Sequence, residues 1–184
     1  MKTKLLELRP YMLGESTDIY KMLQEVPEKE EYNQMNEFYG LNPADTREKI
    51  CEMMRSEYGI TKSSQPPTIL YVFYVDSKPV GFAGMELKIN KYWTVHSATV
   101  WYKIRPSERG KGYGTRLVYK LIKRAIDFDL TYVNASTAEE NYASRAILKK
   151  NGFIIKSEQS NTIFYSLQLK DEPIVTNKAK GKFY

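Results

Sequence analysis

Apolar residues recur with the spacing of a helix face in three segments of the chain. Side chains at i, i+3, i+4 and i+7 lie on one side of a helix, so this spacing predicts helices that each bury one face. The segments and their apolar positions are Glu15–Val26 with Ile19, Met22, Leu23 and Val26; Pro43–Gly59 with Ile50, Met53 and Met54; and the stretch after Thr115 with Leu117, Val118, Leu121, Ile122, Ala125 and Ile126. Glu140–Gly152, which ends at a glycine, predicts a fourth helix.

Between the second and third helices the chain changes to β-branched and aromatic runs. Thr68–Val75 and Val80–Leu87 flank the turn sequence DSKP, which predicts a β-hairpin. The next predicted strand, His96–Ile104, runs directly into a glycine-rich stretch. Further strands are predicted at Thr3–Arg9, Leu130–Ser136, Phe153–Glu158 and Asn161–Leu169. We therefore expect one α/β domain over residues 1–169 and a basic tail over residues 170–184.

Three glycines alternate with other residues just before the third helix, at Gly110, Gly112 and Gly114. A strand, a glycine-rich turn and a helix start bring backbone N–H groups together where the helix dipole favours negative charge. Glycine permits positive φ and leaves no Cβ between an anion and these amides. The spacing matches neither the nucleoside-triphosphate loop G-x-x-x-x-G-K-[ST] nor the dinucleotide pattern G-x-G-x-x-G. The sequence therefore predicts an anion-binding loop of another kind.

Charge is distributed unevenly along the chain, whose formal net charge is +6. Lys103–Arg124 contains eight basic residues and one acidic residue, whereas Glu15–Glu57 contains eleven acidic and five basic residues. A basic patch beside a glycine loop favours a small phosphorylated ligand over a long nucleic-acid track, which requires a broader basic surface. The acidic segment would suit a cationic amine, although acidic helix faces are more often simply solvated.

Composition also disfavours several classes of protein. No apolar run reaches the roughly 20 residues that span a bilayer, and the first residues lack the apolar core of a secretory signal, so we expect a cytoplasmic protein without a membrane partner. Cys51 is the single cysteine, which excludes an internal disulfide, and we expect it to pack on a helix face. His96 is the single histidine, and without cysteine partners it leaves no metal site of the zinc type.

The glycine stretch resembles a known family signature. RGKGYG, Arg109–Gly114, resembles the R/Q-x-x-G-x-G/A signature of the GNAT superfamily of N-acetyltransferases. NYASRAILKKNGF, Asn141–Phe153, is similar to the neighbouring family element and follows it in the right order. The resemblance covers about Ile69–Leu169. Two ordered motifs make it more specific than either motif alone.

The resemblance implies a fold, a reaction and a set of binding residues. The fold would be a mixed, mostly antiparallel sheet, flanked by helices and split at the strand before the glycine loop, with acetyl-CoA as co-substrate in the cleft. The reaction would be transfer of an acetyl group to a primary amine of a small molecule or peptide by direct attack, in a monomer or homodimer that binds no nucleic acid.

The same resemblance assigns residues to acetyl-CoA. The backbone of Arg109, Gly110, Lys111, Gly112, Tyr113, Gly114 and Thr115 would hold the pyrophosphate, with added charge from Arg109 and Lys111; the edge formed by Tyr102, Lys103 and Ile104 would pair with the pantetheine arm; and Asn141 and Ser144 would contact the cofactor from the second motif. Asn141 can equally serve as the N-cap of its helix.

Two residues are candidates for the base that deprotonates the amine. Glu86 is the first choice, because it lies near the end of the strand before the split strand, where a partly buried carboxylate can take a proton directly or through water. The alternative for Glu86 is a surface ion pair with a lysine. His96 is the other candidate base, because the ordinary pKa of histidine is well placed, although its position at a strand start is more often structural.

No general acid is assigned. Many family members carry a tyrosine seven residues after the Asn that opens the second motif, and Leu148 occupies that position here. Tyr113 and Tyr142 lie nearby in sequence, but neither fills the motif position. The missing tyrosine also fits a different function, a non-catalytic acyl-CoA-binding or regulatory domain. A third reading, a nucleic-acid-binding module, rests on the basic charge alone and predicts salt-sensitive DNA binding.

Overall fold

Seven strands and four helices form the described part of the chain. The structure is a computed structural model, and it describes residues 3–12, 17–29, 36–57, 68–89 and 95–170. The strands are β1 (Leu6–Pro10), β2 (Thr68–Val75), β3 (Lys78–Ile89), β4 (Val95–Ile104), β5 (Tyr132–Ala138), β6 (Ile154–Gln159) and β7 (Thr162–Gln168). The helices are α1 (Thr17–Glu25), α2 (Pro43–Glu57), α3 (Tyr113–Asp127) and α4 (Tyr142–Lys150), and a 3₁₀ helix spans Pro106–Glu108.

The strands form one sheet in the order β1-β2-β3-β4-β5-β7-β6. Neighbouring strands are antiparallel except β4 and β5, which are parallel. The expected mixed, mostly antiparallel sheet flanked by helices is therefore confirmed. Residues 171–184 of the predicted tail and the predicted end of the second helix at Gly59 lie outside the described residues.

The predicted hairpin is formed by β2 and β3. Its turn passes through Asp76 and Ser77, with φ angles of 49° and 65°. Two consecutive residues in the left-handed region give the turn whose twist matches that of the two strands. The register pairs Thr68 with Glu86, so Glu86 lies near the far end of the hairpin from the turn.

The sheet separates two hydrophobic cores. Successive residues of a strand point to opposite faces, so Ala83 and Met85 of β3 face one core while Phe82 faces the other. The first core is covered by Leu117, Val118 and Leu121 of α3, and the second by Ile19, Met22 and Leu23 of α1 and Ile50 of α2. Ile126, which was expected on the buried face of α3, is instead 49% exposed, because it lies in the last turn of the helix.

The sheet splits between β4 and β5. Among the described residues, their register covers three pairs, from Ser97 opposite Tyr132 to Thr99 opposite Asn134. Each strand continues beyond this point, β4 as far as Ile104, without further pairing to the other. The gap opens at the strand before the glycine loop, as the sequence led us to expect. No described helix is long and apolar enough to cross a membrane.

Candidate active site

Helix α3 begins at a glycine, which has no side chain to cap the first amides of the helix. Its N-cap is Gly112, with a φ of 75° and no side-chain hydrogen bond to the cap. The first backbone bond of the helix runs from the N–H of Arg116 to the carbonyl of Gly112. The N–H groups before Arg116 have no acceptor within the helix, and the positive end of the helix dipole lies beside them. This end of the helix can therefore donate several hydrogen bonds to an anion.

The three alternating glycines serve two different purposes. Gly110 and Gly112 have φ angles of 74° and 75°, and a Cβ on either would meet no atom within 4 Å. Their role is conformational, because left-handed backbone is costly for residues with a Cβ. Gly114 lies inside α3, and its Cβ would fall 2.6 Å from Cδ1 of Ile147. Gly114 thus allows α3 and α4 to pack closely.

The basic side chains near the loop already have partners. Lys111 donates from Nζ to Glu108 at 2.8 Å and to the carbonyl of Ser107 at 3.1 Å. Lys78 reaches the same carboxylate of Glu108 at 2.7 Å. Hydrogen bonds from Lys111 and then Lys78 lower the pKa of Glu108 to about 2. Arg109 donates from Nε to the carbonyl of Ile104 at 2.9 Å.

A cavity of about 730 Å³, here called the loop cavity, lies against this helix start. It brings together every residue that the sequence assigned to the cofactor except Lys111. Those residues are Tyr102, Lys103, Ile104, Arg109, Gly110, Gly112, Tyr113, Gly114, Thr115, Asn141 and Ser144. Asn141 is also the N-cap of α4, because its side chain accepts a hydrogen bond from the N–H of Ser144 at 3.0 Å.

A second cavity, here called the aromatic cavity, has a volume of about 690 Å³. It lies against α1, α2 and the strands, and it shares Tyr102, Lys103 and Ser144 with the loop cavity. Residues of β4 and β5 line it together, so it reaches the gap between these strands. The two cavities thus adjoin at β4 and α4, while α3 lines only the loop cavity and α1 and α2 line only the aromatic cavity.

Glu86 lines the aromatic cavity and is half-buried. Within the described part of the chain, its carboxylate has no hydrogen bond or ion pair. The surface ion pair considered from the sequence is therefore not found there. His96 is near the start of β4, and its side chain lies outside the described residues.

Two hydroxyl groups meet where the cavities join. Oη of Tyr102 lies 2.9 Å from Oγ of Ser144, and either oxygen can be the donor. Burial raises the pKa of Tyr102 to about 12, although the hydrogen bond with Ser144 opposes this shift. Sequence reasoning placed both residues at the cofactor but missed their contact, because 42 positions separate them.

Of the tyrosines considered from the sequence, Tyr113 lines only the loop cavity, and Tyr142 lines neither cavity. Tyr113 is buried, and its hydroxyl accepts a hydrogen bond from Nζ of Lys4 at 2.7 Å. Tyr142 is 70% exposed. Leu148, at the position of the family tyrosine, is fully buried in the core beneath α3.

An ion pair that sequence reasoning also missed fixes the chain after β4. Glu25, at the end of α1, accepts hydrogen bonds at 2.6 Å from Nε of Arg105 and from the N–H of Ser107. Burial raises the pKa of Glu25, but the hydrogen bonds from Ser107 and Arg105 outweigh burial and lower it overall. Arg105 therefore links α1 to the segment that leads into the glycine loop.

Comparison with known proteins gives matches in sequence and in fold. The family model described as Acetyltransferase (GNAT) domain matches residues 6–154. The chain is 29% identical to holothin acyltransferase from Pseudoalteromonas sp. (strain SANK 73390) over 103 residues, which are 56% of this chain and 32% of that protein. The match thus spans about a third of that relative's length.

Two solved structures share the fold at low sequence identity. The Salmonella typhimurium protein yncA, solved with its cofactor acetyl-CoA, is 15% identical with a TM-score of 0.65, and the alignment covers 91% of this chain and 95% of that chain. The aminoglycoside acetyltransferase AAC(6')-Ib in complex with coenzyme A is 15% identical with a TM-score of 0.66, covering 90% and 95%. Since the family model spans most of the chain and these structures share its fold, the chain belongs to the GNAT family of acetyltransferases.

Proposed function

We propose that the chain is an acetyl-CoA-dependent N-acetyltransferase of the cytoplasm, which transfers an acetyl group to a primary amine by direct attack. The main support is the junction of two chemically different cavities at Tyr102, Lys103 and Ser144. One cavity ends at uncapped helix amides, which favour an anionic carrier. The other contains the half-buried carboxylate of Glu86, which favours a cationic acceptor. The two ligands would meet in the gap between β4 and β5.

The loop cavity has the chemistry that a coenzyme A group requires. When bound, acetyl-CoA supplies an acetyl group activated as a thioester. The amides at the start of α3 would hold the pyrophosphate, because the N-cap Gly112 has no side chain that competes for them. Arg109 would add positive charge. Lys111 would add less, because Glu108 already pairs with it. The backbone of β4 at Tyr102–Ile104, beyond the last pair with β5, would contact the pantetheine arm.

Glu86 would act as the base. An amine enters largely as its ammonium form near neutral pH and attacks only after losing a proton. A carboxylate such as that of Glu86, which makes no ion pair with the described residues, can accept that proton, directly or through one water molecule. Because Glu86 lines the aromatic cavity, it can act on an amine bound there. His96 is the alternative base.

Tyr102 would stabilise the leaving sulfur. Its hydroxyl lies at the junction of the cavities, where Ser144 fixes its direction. A phenol whose pKa is about 12 is a weaker acid than a thiol, whose ordinary pKa is about 8.5. Tyr102 would therefore donate a hydrogen bond to the sulfur without giving up its proton, and the thiolate would take a proton from water. This role would replace the tyrosine that the family carries at the position of Leu148.

Names of the related proteins are compatible with this proposal. One is an aminoglycoside acetyltransferase and one is a holothin acyltransferase, so both names denote transfer of an acyl group. For this chain we propose only the class of the acceptor, which is an amine of a small molecule or peptide. We expect a monomer or homodimer that binds no nucleic acid.

The test is a turnover assay with the purified chain, acetyl-CoA and a panel of small amines, peptides and aminoglycosides, in which thiol release is measured. We expect release with at least one amine, and mass spectrometry should show acetyl on its nitrogen. Glu86→Gln should lower kcat by about a hundredfold or more if Glu86 is the base. Binding of acetyl-CoA without thiol release for any amine would instead support the non-catalytic acyl-CoA-binding domain.

A further inference from the structure

Aromatic rings form one wall of the aromatic cavity. Phe38 and Phe82 pack edge to face with their centroids 5.8 Å apart, and Phe82 and Trp101 pack at 5.7 Å with a tilt of 57°. All three side chains line the cavity. Phe38 and Phe82 are buried in the second core, whereas Trp101 is only partly buried. Trp101 is thus the ring of this wall that a ligand can reach most readily.

Trp101 lies flat against the neighbouring strand. Gly84 is its cross-strand partner, and a Cβ on Gly84 would fall 2.3 to 2.5 Å from three adjoining atoms of the indole. Since these three distances are nearly equal, the ring covers the glycine face-on. One face of the indole therefore packs on β3, and the opposite face is directed away from the sheet toward the cavity.

Three carboxylates and three basic side chains line the same cavity: Glu37, Glu52 and Glu86, and Lys49, Lys103 and Arg105. Glu86 follows Gly84 by two residues on β3, so both lie on the same face of the strand. Across the cavity, Lys49 pairs with Glu37 at 3.0 Å. Hydrogen bonding to Glu37 raises the pKa of Lys49, and Glu52 adds to this shift. Lys49 thus lies close to two carboxylates on that wall, and Arg105 pairs with Glu25, whereas Glu86 makes no ion pair within the described part of the chain.

We propose that the acceptor amine is attached to a flat, apolar ring. The ring would stack on the face of Trp101 that is directed toward the cavity, and the amine would lie toward Glu86. Aromatic faces attract both flat rings and cations, and the contact with a ring strengthens binding beyond the effect of its buried area. A polyhydroxylated amine would instead leave its hydroxyl groups without partners against this apolar wall. The inference rests on the proposed function and names its substrate class.

The experiment measures the binding of three amines of similar size to the coenzyme A complex of the protein. 2-Phenylethylamine has a flat apolar ring, 2-cyclohexylethylamine has a puckered apolar ring, and glucosamine is polar. Affinity is measured by calorimetry and by fluorescence of Trp101 in a Trp93→Phe background, since Trp93 is the other tryptophan of the chain. We expect 2-phenylethylamine to bind about five- to tenfold more tightly than 2-cyclohexylethylamine and to change the fluorescence.

Variants assign the preference to the indole. Trp101→Leu should remove the difference in affinity between the two apolar amines. Gly84→Ala should reduce this difference, because the added methyl group displaces the indole without removing it. Trp101→Phe, which keeps an aromatic face, should retain part of the preference and serves if the leucine variant does not fold. The matched control is Tyr119→Leu, which changes a tyrosine on α3 that is 54% exposed. This variant should retain the full preference for 2-phenylethylamine.

The outcomes separate this inference from the proposed function. Equal affinity for the two apolar amines, tighter binding of glucosamine, or a preference that survives Trp101→Leu would overturn the ring-bearing acceptor. If acetyl-CoA turnover then occurs with polar amines, the proposed function stands without this inference. If 2-phenylethylamine binds as expected but no amine is acetylated, the inference about the cavity stands and the proposed function fails.

Discussion

At the scale of single residues, Gly112 allows charge and backbone strain to be separated. Its φ of 75° disfavours any side chain, but a Cβ there meets no neighbouring atom. A substitution therefore costs about 1–2 kcal/mol of strain, without a clash. Whatever it changes in ligand binding beyond that cost comes from the group that it places at the uncapped start of α3.

Gly112→Asp should weaken acetyl-CoA binding far more than Gly112→Asn does. Asp and Asn have nearly the same shape and strain, but Asp adds a negative charge where the helix amides would hold the pyrophosphate. We expect an additional loss of about tenfold or more for the aspartate variant. Calorimetry with both folded variants is the measurement, and equal affinities would remove the loop from the binding site.

Tyr102→Phe should lower kcat by about 10- to 100-fold with little change in KM. The variant lacks a hydrogen bond that becomes strong only when the leaving sulfur acquires its negative charge. In the unmodified protein the rate should rise with pH and then stay level to about pH 10, since the pKa of Tyr102 is about 12 and the phenol keeps its proton. Tyr142→Phe and Tyr113→Phe are the controls and should change kcat little. A loss of about a hundredfold in either control would show that another tyrosine acts as the acid.

Residue roles were predictable where they depend on neighbours in sequence. Gly110 and Gly112 have the positive φ that a glycine loop allows, and Asn141 caps the helix that it precedes. The contact between Tyr102 and Ser144 could not be predicted, because it depends on how α4 packs beside β4. The purpose of Gly114 was missed for the same reason, since Ile147 belongs to another helix.

At the scale of elements, periodicity located the helices and strands because each buries one face against the sheet. The hairpin of β2 and β3 was the most local of these features, and Asp76 and Ser77 of the predicted turn sequence form its turn. The spacing of apolar residues did not predict how closely the helices and strands approach each other. Gly81 shows this, because its Cβ would lie 2.8 Å from Cδ1 of Ile104, 2.9 Å from Cδ1 of Leu117 and 3.0 Å from the carbonyl of Lys103.

Gly81→Ala should destabilise the packing of α3 on β3 and β4. The added methyl group meets two side chains and a backbone oxygen, and overpacking of this kind costs about 1–3 kcal/mol. Urea unfolding measures the loss. The double variant Gly81→Ala with Ile104→Val should recover part of it, because the nearest clashing atom is removed. A single variant as stable as the parent would mean that the strands separate at no cost.

At the scale of the whole molecule, ion pairs connect segments that are distant in sequence around the glycine loop. Glu108 pairs with Lys78 at the start of β3 and with Lys111 in the loop. Arg105 and Glu25 connect the same region to α1. These ion pairs could not be predicted from the uneven charge alone. The charge distribution showed that the region is basic, but not which of its basic side chains pair with a carboxylate.

Acid should destabilise the protein partly through Glu108. Its pKa is lowered to about 2 in the folded state, so its pairs contribute above the ordinary carboxyl pKa of about 4.3 and are lost as pH falls toward the folded value. Glu108→Gln should reduce stability by about 1 kcal/mol near neutral pH. The difference between variant and parent should shrink as pH falls from about 5 to about 2. Thermal unfolding at several pH values is the measurement, and a constant difference would contradict the assignment.

The short register between β4 and β5 makes the sheet two hydrogen-bonded units, one of four strands and one of three. Three residue pairs and the side chains packed against both units hold them together. Local opening in proteins follows such units, so backbone amide protons of β1–β4 and of β5–β7 should exchange with deuterated solvent as two groups with different opening free energies. A ligand that lies in the gap and touches both strands would make the two groups exchange more nearly as one.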